Sequence, residues 1–220
     1  RAEGENRIIA VTSAVPQEGK TTVVTNLAAV MAQAGERVLV IDCDLRRPAV
    51  HVALGMENNI GLTNYLAESN VDVMSIIRET SFPNLHVITA GAYAPNPPEL
   101  LESAKMREAL ALWSKKYDRI MVDTPPVGSV VDPCIMAPYV DGVAMVVSTG
   151  RVEADRARAA RQQLDNVGAK FFGVIVNQLR NSGEGYYGYR YYYSYSYDRY
   201  GYGDERRQEE EAKRRAQANG

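Results

Sequence analysis

The sequence has few cysteines, no long apolar run and little net charge. Its two cysteines, Cys43 and Cys134, cannot supply a disulfide framework, and as reduced thiols they favour the cytoplasm. No apolar stretch reaches the length that spans a bilayer, and no signal peptide is visible. The net charge of −2 provides no basic field, so nucleic acid is not an expected partner. The chain begins at Arg1 without a methionine, so we expect a piece of a longer protein and leave upstream membrane segments open.

Aromatic residues are also scarce, except in one segment. Ten of the 14 tyrosines lie between residues 186 and 202, separated by glycine and serine. Their spacing provides no core, so this tyrosine strip is typical of a flexible, low-complexity segment. It could be an adhesive tail, a partner-docking strand or a set of reactive hydroxyls. A charged stretch without an apolar stripe follows, and we predict a globular domain over 1–180 and a flexible tail over 181–220.

Strand and helix patterns alternate along the first 180 residues. Six short apolar runs, rich in β-branched residues, predict buried parallel strands at 7–13, 37–42, 85–90, 119–124, 142–148 and 171–177. Apolar residues at helical spacing predict helices over 20–35, 103–117 and 153–168. This alternation favours an α/β fold with a doubly wound, mainly parallel sheet flanked by helices. Ligands of such folds bind beyond the carboxyl ends of the strands.

The segment after the first predicted strand is typical of a phosphate-binding loop. Gly19, Lys20 and Thr21 open a helix there, where backbone N–H groups and the positive helix end can hold phosphate oxygens. Glycine permits close backbone approach, the lysine brings a cation to the β- and γ-phosphates, and the threonine hydroxyl suits Mg²⁺. The usual motif has a glycine five residues before Gly19, whereas Ala14 stands here.

Acidic residues follow two other predicted strands. Asp42 and Asp44 end the run VLVIDCD, and Asp123 ends IMVD. A single aspartate after a strand is often only a helix cap or a turn residue. Three carboxylates at the same sheet edge as a phosphate loop are better explained by Mg²⁺, which carboxylates bind mostly through retained waters.

Together these motifs resemble those of the bacterial tyrosine kinases of the polysaccharide co-polymerase systems. The family combines a variant Walker A motif, a Walker A′ of the form apolar run-D-x-D-x-R, a Walker B of the form apolar run-D-[ST]-P-P and a C-terminal tyrosine cluster. Here the first three read AVPQEGKT, VLVIDCDLR and IMVDTPP. The resemblance covers residues 1–202. It implies a P-loop NTPase fold of the MinD/ParA-like type, ATP-dependent protein-tyrosine kinase activity, and the use of ATP and Mg²⁺.

The resemblance also implies a role for each matching residue. Nucleotide contacts are expected from Gln17, Glu18, Gly19, Lys20, Thr21, Thr22 and Asn177. Metal contacts are expected from Thr21, Asp44 and Asp123, and catalytic roles from Lys20, Asp42 and Asp44. Asp42 is expected to receive the tyrosine proton, although the two Walker A′ aspartates can exchange roles. Asn177 is expected to recognise adenine, or alternatively to be only a polar strand end.

The tyrosine strip is then implied to be the substrate, phosphorylated in trans between subunits. The expected acceptors are Tyr186, Tyr187, Tyr189, Tyr191, Tyr192, Tyr193, Tyr195, Tyr197, Tyr200 and Tyr202. The implied partners are other copies of the chain, a transmembrane activator fused upstream or separate, and a protein tyrosine phosphatase, all at the inner face of the cell membrane. The family's ring-building E-x-x-R-x-x-R helix is absent, since Glu153 and Arg156 are followed by Ala159. A ring is therefore left open.

Two other functions fit parts of the pattern. An ATPase switch of the MinD/ParA type shares the expected fold, but such proteins carry a second lysine early in the loop, where Val15 stands here. A non-catalytic adaptor could use the tyrosine strip for docking, with nucleotide only stabilising the fold. The intact set of Lys20, Asp42, Asp44 and Asp123 argues against an adaptor.

Overall fold

The structure is a computed structural model that describes residues 7–179. The predicted tail with all ten expected acceptor tyrosines lies outside the described residues, so the predicted boundary near residue 180 stays a prediction. Among the described residues, no helix combines the length and apolar character needed to cross a bilayer.

A seven-stranded sheet forms the centre of the described domain. Its strands are Ile8–Ser13 (β1), Val38–Asp42 (β2), Arg78–Glu79 (β3), Leu85–Ile88 (β4), Arg119–Asp123 (β5), Gly142–Ser148 (β6) and Phe171–Asn177 (β7). The order across the sheet is β3-β4-β2-β5-β1-β6-β7, and every pairing is parallel except that of β3 with β4. The predicted doubly wound, mainly parallel α/β fold is therefore confirmed.

Helices cover both faces of the sheet. They span Lys20–Gln33 (α1), Val50–Ala53 (α2), Leu62–Ala67 (α3), Pro97–Glu102 (α4), Ala104–Trp113 (α5), Asp132–Met136 (α6) and Ala154–Asn166 (α7), and a 3₁₀ turn spans Ala137–Tyr139. Buried residues of α1 and α2 pack on one face of the sheet. Buried residues of α3 to α7 pack on the other face. Because both faces are covered, the central strands are apolar throughout, as the sequence indicated.

The strand period of two decides which strand-end residues become neighbours. Val38 and Val40 of β2 point to the α1 face, whereas Leu39 and Ile41 point to the opposite face. Asp42 therefore projects toward α1, and it lies in register with Asp123 at the end of β5. Because β1 neighbours β5, the loop between β1 and α1 lies beside these carboxylates.

Two predicted helix ends agree with the structure, and several short helices were not predicted. Gly35 and Gly168, which follow α1 and α7, have φ angles of 94° and 69°, in the left-handed region that glycine adopts without strain. The unpredicted helices α2, α3, α4 and α6 have four to six residues each. Segments this short are below the length at which apolar periodicity is recognisable.

Candidate active site

The loop between β1 and α1 has the geometry of a phosphate-binding loop. Gly19 caps α1 with a φ of 88°, and a β-carbon there would lie 2.2 Å from Asn177 Nδ2. Only glycine satisfies both conditions without strain. The helix begins at Lys20, so its first free N–H groups face the same loop. Ala14, which replaces the usual glycine, is buried, and its carbonyl oxygen packs against Gly128.

Thr21 connects this loop to β5. Its hydroxyl donates to Asp123 Oδ2 at 2.6 Å, a short bond typical of a charged acceptor. Asp123 itself has no exposed surface, and its Oδ1 is buried without a hydrogen-bond partner among the described residues. A buried carboxylate oxygen without a partner is costly, so Asp123 fits a ligand that supplies the missing contact.

Burial changes the acidity of all three aspartates. Burial raises the pKa of Asp123 to about 6, with a further rise from Asp44 and opposing effects from Lys20 and the Thr21 hydroxyl. Burial raises the pKa of Asp42 to about 8, and the neighbouring charges of Asp123 and Asp44 add to this. Burial also raises the pKa of Asp44, although backbone N–H donors and Lys20 oppose the change. The cluster is therefore short of positive charge, and a bound cation would relieve the repulsion.

Asp42 and Asp44 occupy different environments although they are two residues apart. The Asp42 side chain is fully buried, and its oxygens accept hydrogen bonds of 3.1 Å from the N–H groups of Asp44, Ala49 and Val50. Asp42 thereby shapes the loop that leads into α2. Asp44 retains 6% exposure and lines a cleft beside the phosphate loop. Of the two, only Asp44 faces space that a substrate can enter.

The cleft has a volume of about 610 Å³ and extends from the phosphate loop to the segment after β5. The phosphate loop and the start of α1 contribute Pro16, Gln17, Gly19, Lys20, Thr21 and Thr22 to its lining. The segments after β2 and β5 contribute Asp44, Arg46, Arg47, Ala49, Pro125, Pro126, Ser129 and Val130. An ion pair of 3.2 Å between Arg46 and the buried Asp132 connects these two segments. The cleft thus brings phosphate-binding groups together with apolar, basic and acidic side chains from two other strand ends.

Two residues predicted to contact the nucleotide, Glu18 and Asn177, form hydrogen bonds within the protein. The Glu18 carboxylate is fully buried and accepts hydrogen bonds of 2.9 Å from the N–H groups of Val15 and Ser148. Its side chain therefore turns away from the cleft. Asn177 donates from Nδ2 to the Glu18 carbonyl at 2.9 Å, so it supports the phosphate loop from β7. The adenine-recognition role of Asn177 stays a prediction.

The residues present fit a bound Mg²⁺ in the way expected for a nucleotide complex. Among residues 7–179, no group of three or more histidine, cysteine or acidic side chains forms a metal cage. The Thr21 hydroxyl, the unpartnered Asp123 oxygen and Asp44 nevertheless converge at the phosphate loop. Mg²⁺ favours such sites, in which one or two protein groups act together with phosphates and waters.

Sequence patterns did not identify the residues that brace the loop from β6 and β7. Ser148, Arg151 and Gln178 hydrogen-bond to the 17–18 segment or to one another. None of them belongs to a Walker motif. The backbone of Gln17 has a φ of 65°, a left-handed angle that surrounding contacts must hold. This angle cannot be recognised in the sequence.

The chain matches one sequence family and is similar to curated bacterial tyrosine kinases. The sequence family described as an AAA domain matches residues 6–150. The chain is 39% identical over 181 residues to the tyrosine-protein kinase YwqD of Bacillus subtilis, covering 82% of this chain and 76% of that protein. It is 35% identical over 189 residues to the tyrosine-protein kinase wzc of Salmonella typhimurium, covering 85% of this chain but only 26% of that protein.

Solved structures give the same result. The kinase domain of the Escherichia coli tyrosine kinase ETK superposes with a TM-score of 0.79 at 35% identity, covering 84% of this chain and 72% of that one. The septum site-determining protein MinD from Pyrococcus horikoshii, solved with Mg-ADP, superposes with a TM-score of 0.68 at 26% identity, covering 81% of this chain and 72% of that one. The expected P-loop NTPase fold is thereby confirmed.

Proposed function

The chain belongs to the bacterial tyrosine-protein kinases, and from that premise we propose that it transfers the γ-phosphoryl group of ATP to the tyrosines of its own C-terminal strip. The observation that carries the proposal is the pairing of a phosphate loop with three aspartates at two strand ends, joined by the 2.6 Å bond from Thr21 to Asp123. The kinase activity follows from the family. The choice of acceptors is our proposal.

We assign different roles to the two groups of residues that line the cleft. Backbone N–H groups at Gly19 and the start of α1 would hold the phosphates, and Lys20 would neutralise charge on the γ-phosphoryl group. Mg²⁺, held by Thr21 and through water by Asp44 and Asp123, would supply further charge neutralisation when bound. Cleft residues after β2 and β5 would position the tyrosine ring, because phosphoryl transfer depends mainly on orientation and charge neutralisation.

We favour Asp44 over Asp42 as the group that receives the tyrosine proton. Asp42 is enclosed and holds three backbone N–H groups, whereas Asp44 lines the cleft. A general base must come within hydrogen-bond reach of the proton that it abstracts. Asp42 would then act indirectly, by fixing the loop that carries Asp44.

Transfer in trans would give the strip its regulatory effect. Each phosphate adds roughly −1.5 to −2 charges at pH 7, so a strip with several phosphates would be repelled by neighbouring strips and by the acidic cluster. Unphosphorylated strips would favour assembly, and phosphorylated strips would favour release. We propose that this cycle controls exopolysaccharide or capsule synthesis and export at the inner face of the membrane. A transmembrane activator, fused upstream or separate, and a tyrosine phosphatase would be the partners.

The second candidate function is an ATPase switch, and the likeness to MinD favours it. Such a protein would release phosphate without labelling tyrosine. Against the switch, the second lysine of that class is replaced by Val15. The backbone N–H of Val15 donates to the Glu18 carboxylate within the loop.

Intact-mass spectrometry with and without Mg-ATP tests the proposal directly. We expect several additions of one phosphate each, lost when all ten strip tyrosines are changed to phenylalanine. Free phosphate released with unchanged protein mass would support the switch instead. If the all-phenylalanine variant incorporates as much phosphate as the parent, on Tyr65, Tyr93, Tyr117 or Tyr139, the strip is not the substrate.

A further inference from the structure

We propose that Arg151 is a positioning residue that holds the phosphate loop in its binding conformation. Arg151 lies in the segment between β6 and α7, outside every Walker motif. Its guanidinium donates from one nitrogen to the Gln17 carbonyl at 3.1 Å and from another to Gln17 Oε1 at 2.6 Å. It does not line the cleft, so it acts through Gln17 and not on the substrate. The inference rests on the proposed nucleotide-binding function.

The need for a clamp arises from the backbone of Gln17. Its φ of 65° lies in the left-handed region, where a residue with a β-carbon is strained. Gly19, two residues later, has a φ of 88°. Left-handed residues turn successive N–H groups of a loop toward one concave side, which is how backbone nests bind anions. The strained angle at Gln17 therefore belongs to the binding conformation and must be held by surrounding contacts.

Arg151 is the outermost of several contacts on this segment. The Gln178 side chain approaches the same Gln17 carbonyl at 3.4 Å, and the Ser148 hydroxyl orients Gln178 through a 2.6 Å bond to its Oε1. Beneath them, the buried Glu18 is fixed by Ser148 N–H, and its carbonyl accepts from Asn177. The buried contacts hold Glu18. The bidentate contact from Arg151 is the one that engages both the main chain and the side chain of the strained residue.

The test uses a fluorescent ADP analogue, with EDTA present so that only the loop and its phosphate contacts are measured. We expect Arg151→Ala to weaken binding about five- to tenfold, because two hydrogen bonds that hold the loop are lost. Arg151→Lys, which retains a single donor group, should give an intermediate affinity. Arg158→Ala is the matched control, since Arg158 pairs with Asp155 on the exposed side of α7 and should leave affinity unchanged.

A double-mutant cycle separates positioning from general stabilisation. Glycine at position 17 adopts the left-handed angle without strain, so the clamp becomes less necessary. Arg151→Ala made in the Gln17→Gly background should therefore weaken binding less than about twofold. In steady-state kinetics with Mg-ATP, Arg151→Ala should raise KM for ATP by a similar factor and change kcat less than about twofold.

The possible results separate the positioning role of Arg151 from the proposed kinase function. Equal affinity of the parent and Arg151→Ala, or an effect of Arg151→Ala undiminished in the Gln17→Gly background, would overturn the role of Arg151 and leave the kinase assignment intact. A lowered melting temperature with unchanged affinity would likewise show that Arg151 is only structural. A parent protein that binds the ADP analogue neither in EDTA nor with Mg²⁺ would overturn the nucleotide site itself.

Discussion

The two ends of the sheet use acidic residues in opposite ways. At the amino ends of the strands, acidic side chains sit at the rim and have close partners. Asp141 Oδ2 accepts from the N–H groups of Arg7 and Ile8 at 2.7 and 2.8 Å. Asp118 accepts from the Arg37 N–H at 2.8 Å and forms an ion pair with its guanidinium at 3.6 Å. These contacts close strand ends and satisfy backbone donors.

At the carboxyl ends, Asp42, Asp44 and Asp123 are buried together, and each has a raised pKa. Lys20 is the cation that opposes this charge at Asp44 and Asp123. Such an arrangement lowers the stability of the isolated domain and is compensated when a ligand brings positive charge. The amino edge therefore stabilises the fold, whereas the carboxyl edge is arranged for a ligand.

The largest expected effect is the loss of Lys20. Lys20→Met should lower phosphotyrosine formation at least about 100-fold, because the reaction loses a preorganised cation at developing charge. The domain should remain folded, although it also loses the cation that opposes the charge of Asp44 and Asp123. The measurement is phosphotyrosine per minute alongside circular dichroism. Lys115→Met, at an exposed position before β5, is the matched control and should retain parental activity. Near-parental activity in Lys20→Met would remove the phosphate-loop assignment.

The next effect separates the two Walker A′ aspartates. Asp44→Asn should lower transfer about 100-fold or more, since an amide preserves the shape of the side chain but cannot accept a proton. Binding of the fluorescent ADP analogue in EDTA should change little. Asp42→Asn should lower transfer less, because its side chain acts through the loop and not on the substrate. If the order of the two variants is reversed, with nucleotide affinity retained in both, Asp42 is the base.

At Asp123, we expect a substitution that removes the charge to stabilise the domain. The folded-state pKa is raised from 3.8 to about 6, so the folded protein binds a proton that the unfolded chain has already released at intermediate pH. The free-energy cost of ionising Asp123 in the folded protein is therefore absent below about pH 4 and complete above about pH 6. The free energy of unfolding falls as the pH rises between these values. Asp123→Asn should stabilise the nucleotide-free domain at pH 8 by roughly 1–3 kcal/mol and have little effect near pH 4.

Urea unfolding at the two pH values measures this effect. Activity should be lost in the same variant, because the proposed Mg²⁺ site uses the charge of Asp123. If Asp123→Asn is less stable than the parent at pH 8, the carboxyl edge is not under electrostatic strain.

The smallest effect is expected at the amino edge. Asp141→Ala should destabilise the domain by about 1–2 kcal/mol, because two backbone N–H groups lose their acceptor. Phosphotyrosine formation should be unchanged at temperatures where the variant is folded. Loss of activity in the fully folded variant would contradict the division between a structural edge and a functional edge.

Much of the site was predictable from short segments of sequence. The runs that end in Asp42 and Asp123, and the strand before Gly19, were apolar enough to identify parallel strands, and parallel strands present their carboxyl ends at one edge. That rule sufficed to bring the phosphate loop and the acidic residues together. The amino-edge contacts of Asp141 were not predictable, since its partners Arg7 and Ile8 lie more than 130 positions away in the chain.

Local sequence patterns sufficed to predict six of the seven described strands, the three longest helices and the chemistry of the site, because strand patterns, the glycine-lysine-threonine turn and the aspartates after strands are local features. The environment of each side chain depended instead on the tertiary fold. It enclosed Asp42 and left Asp44 on the cleft, turned Glu18 inward, and brought Arg151 and Asn177 onto the phosphate loop. The physical reason is that burial, pKa and hydrogen-bond partners depend on strand order and on contacts between distant segments, which no local pattern encodes.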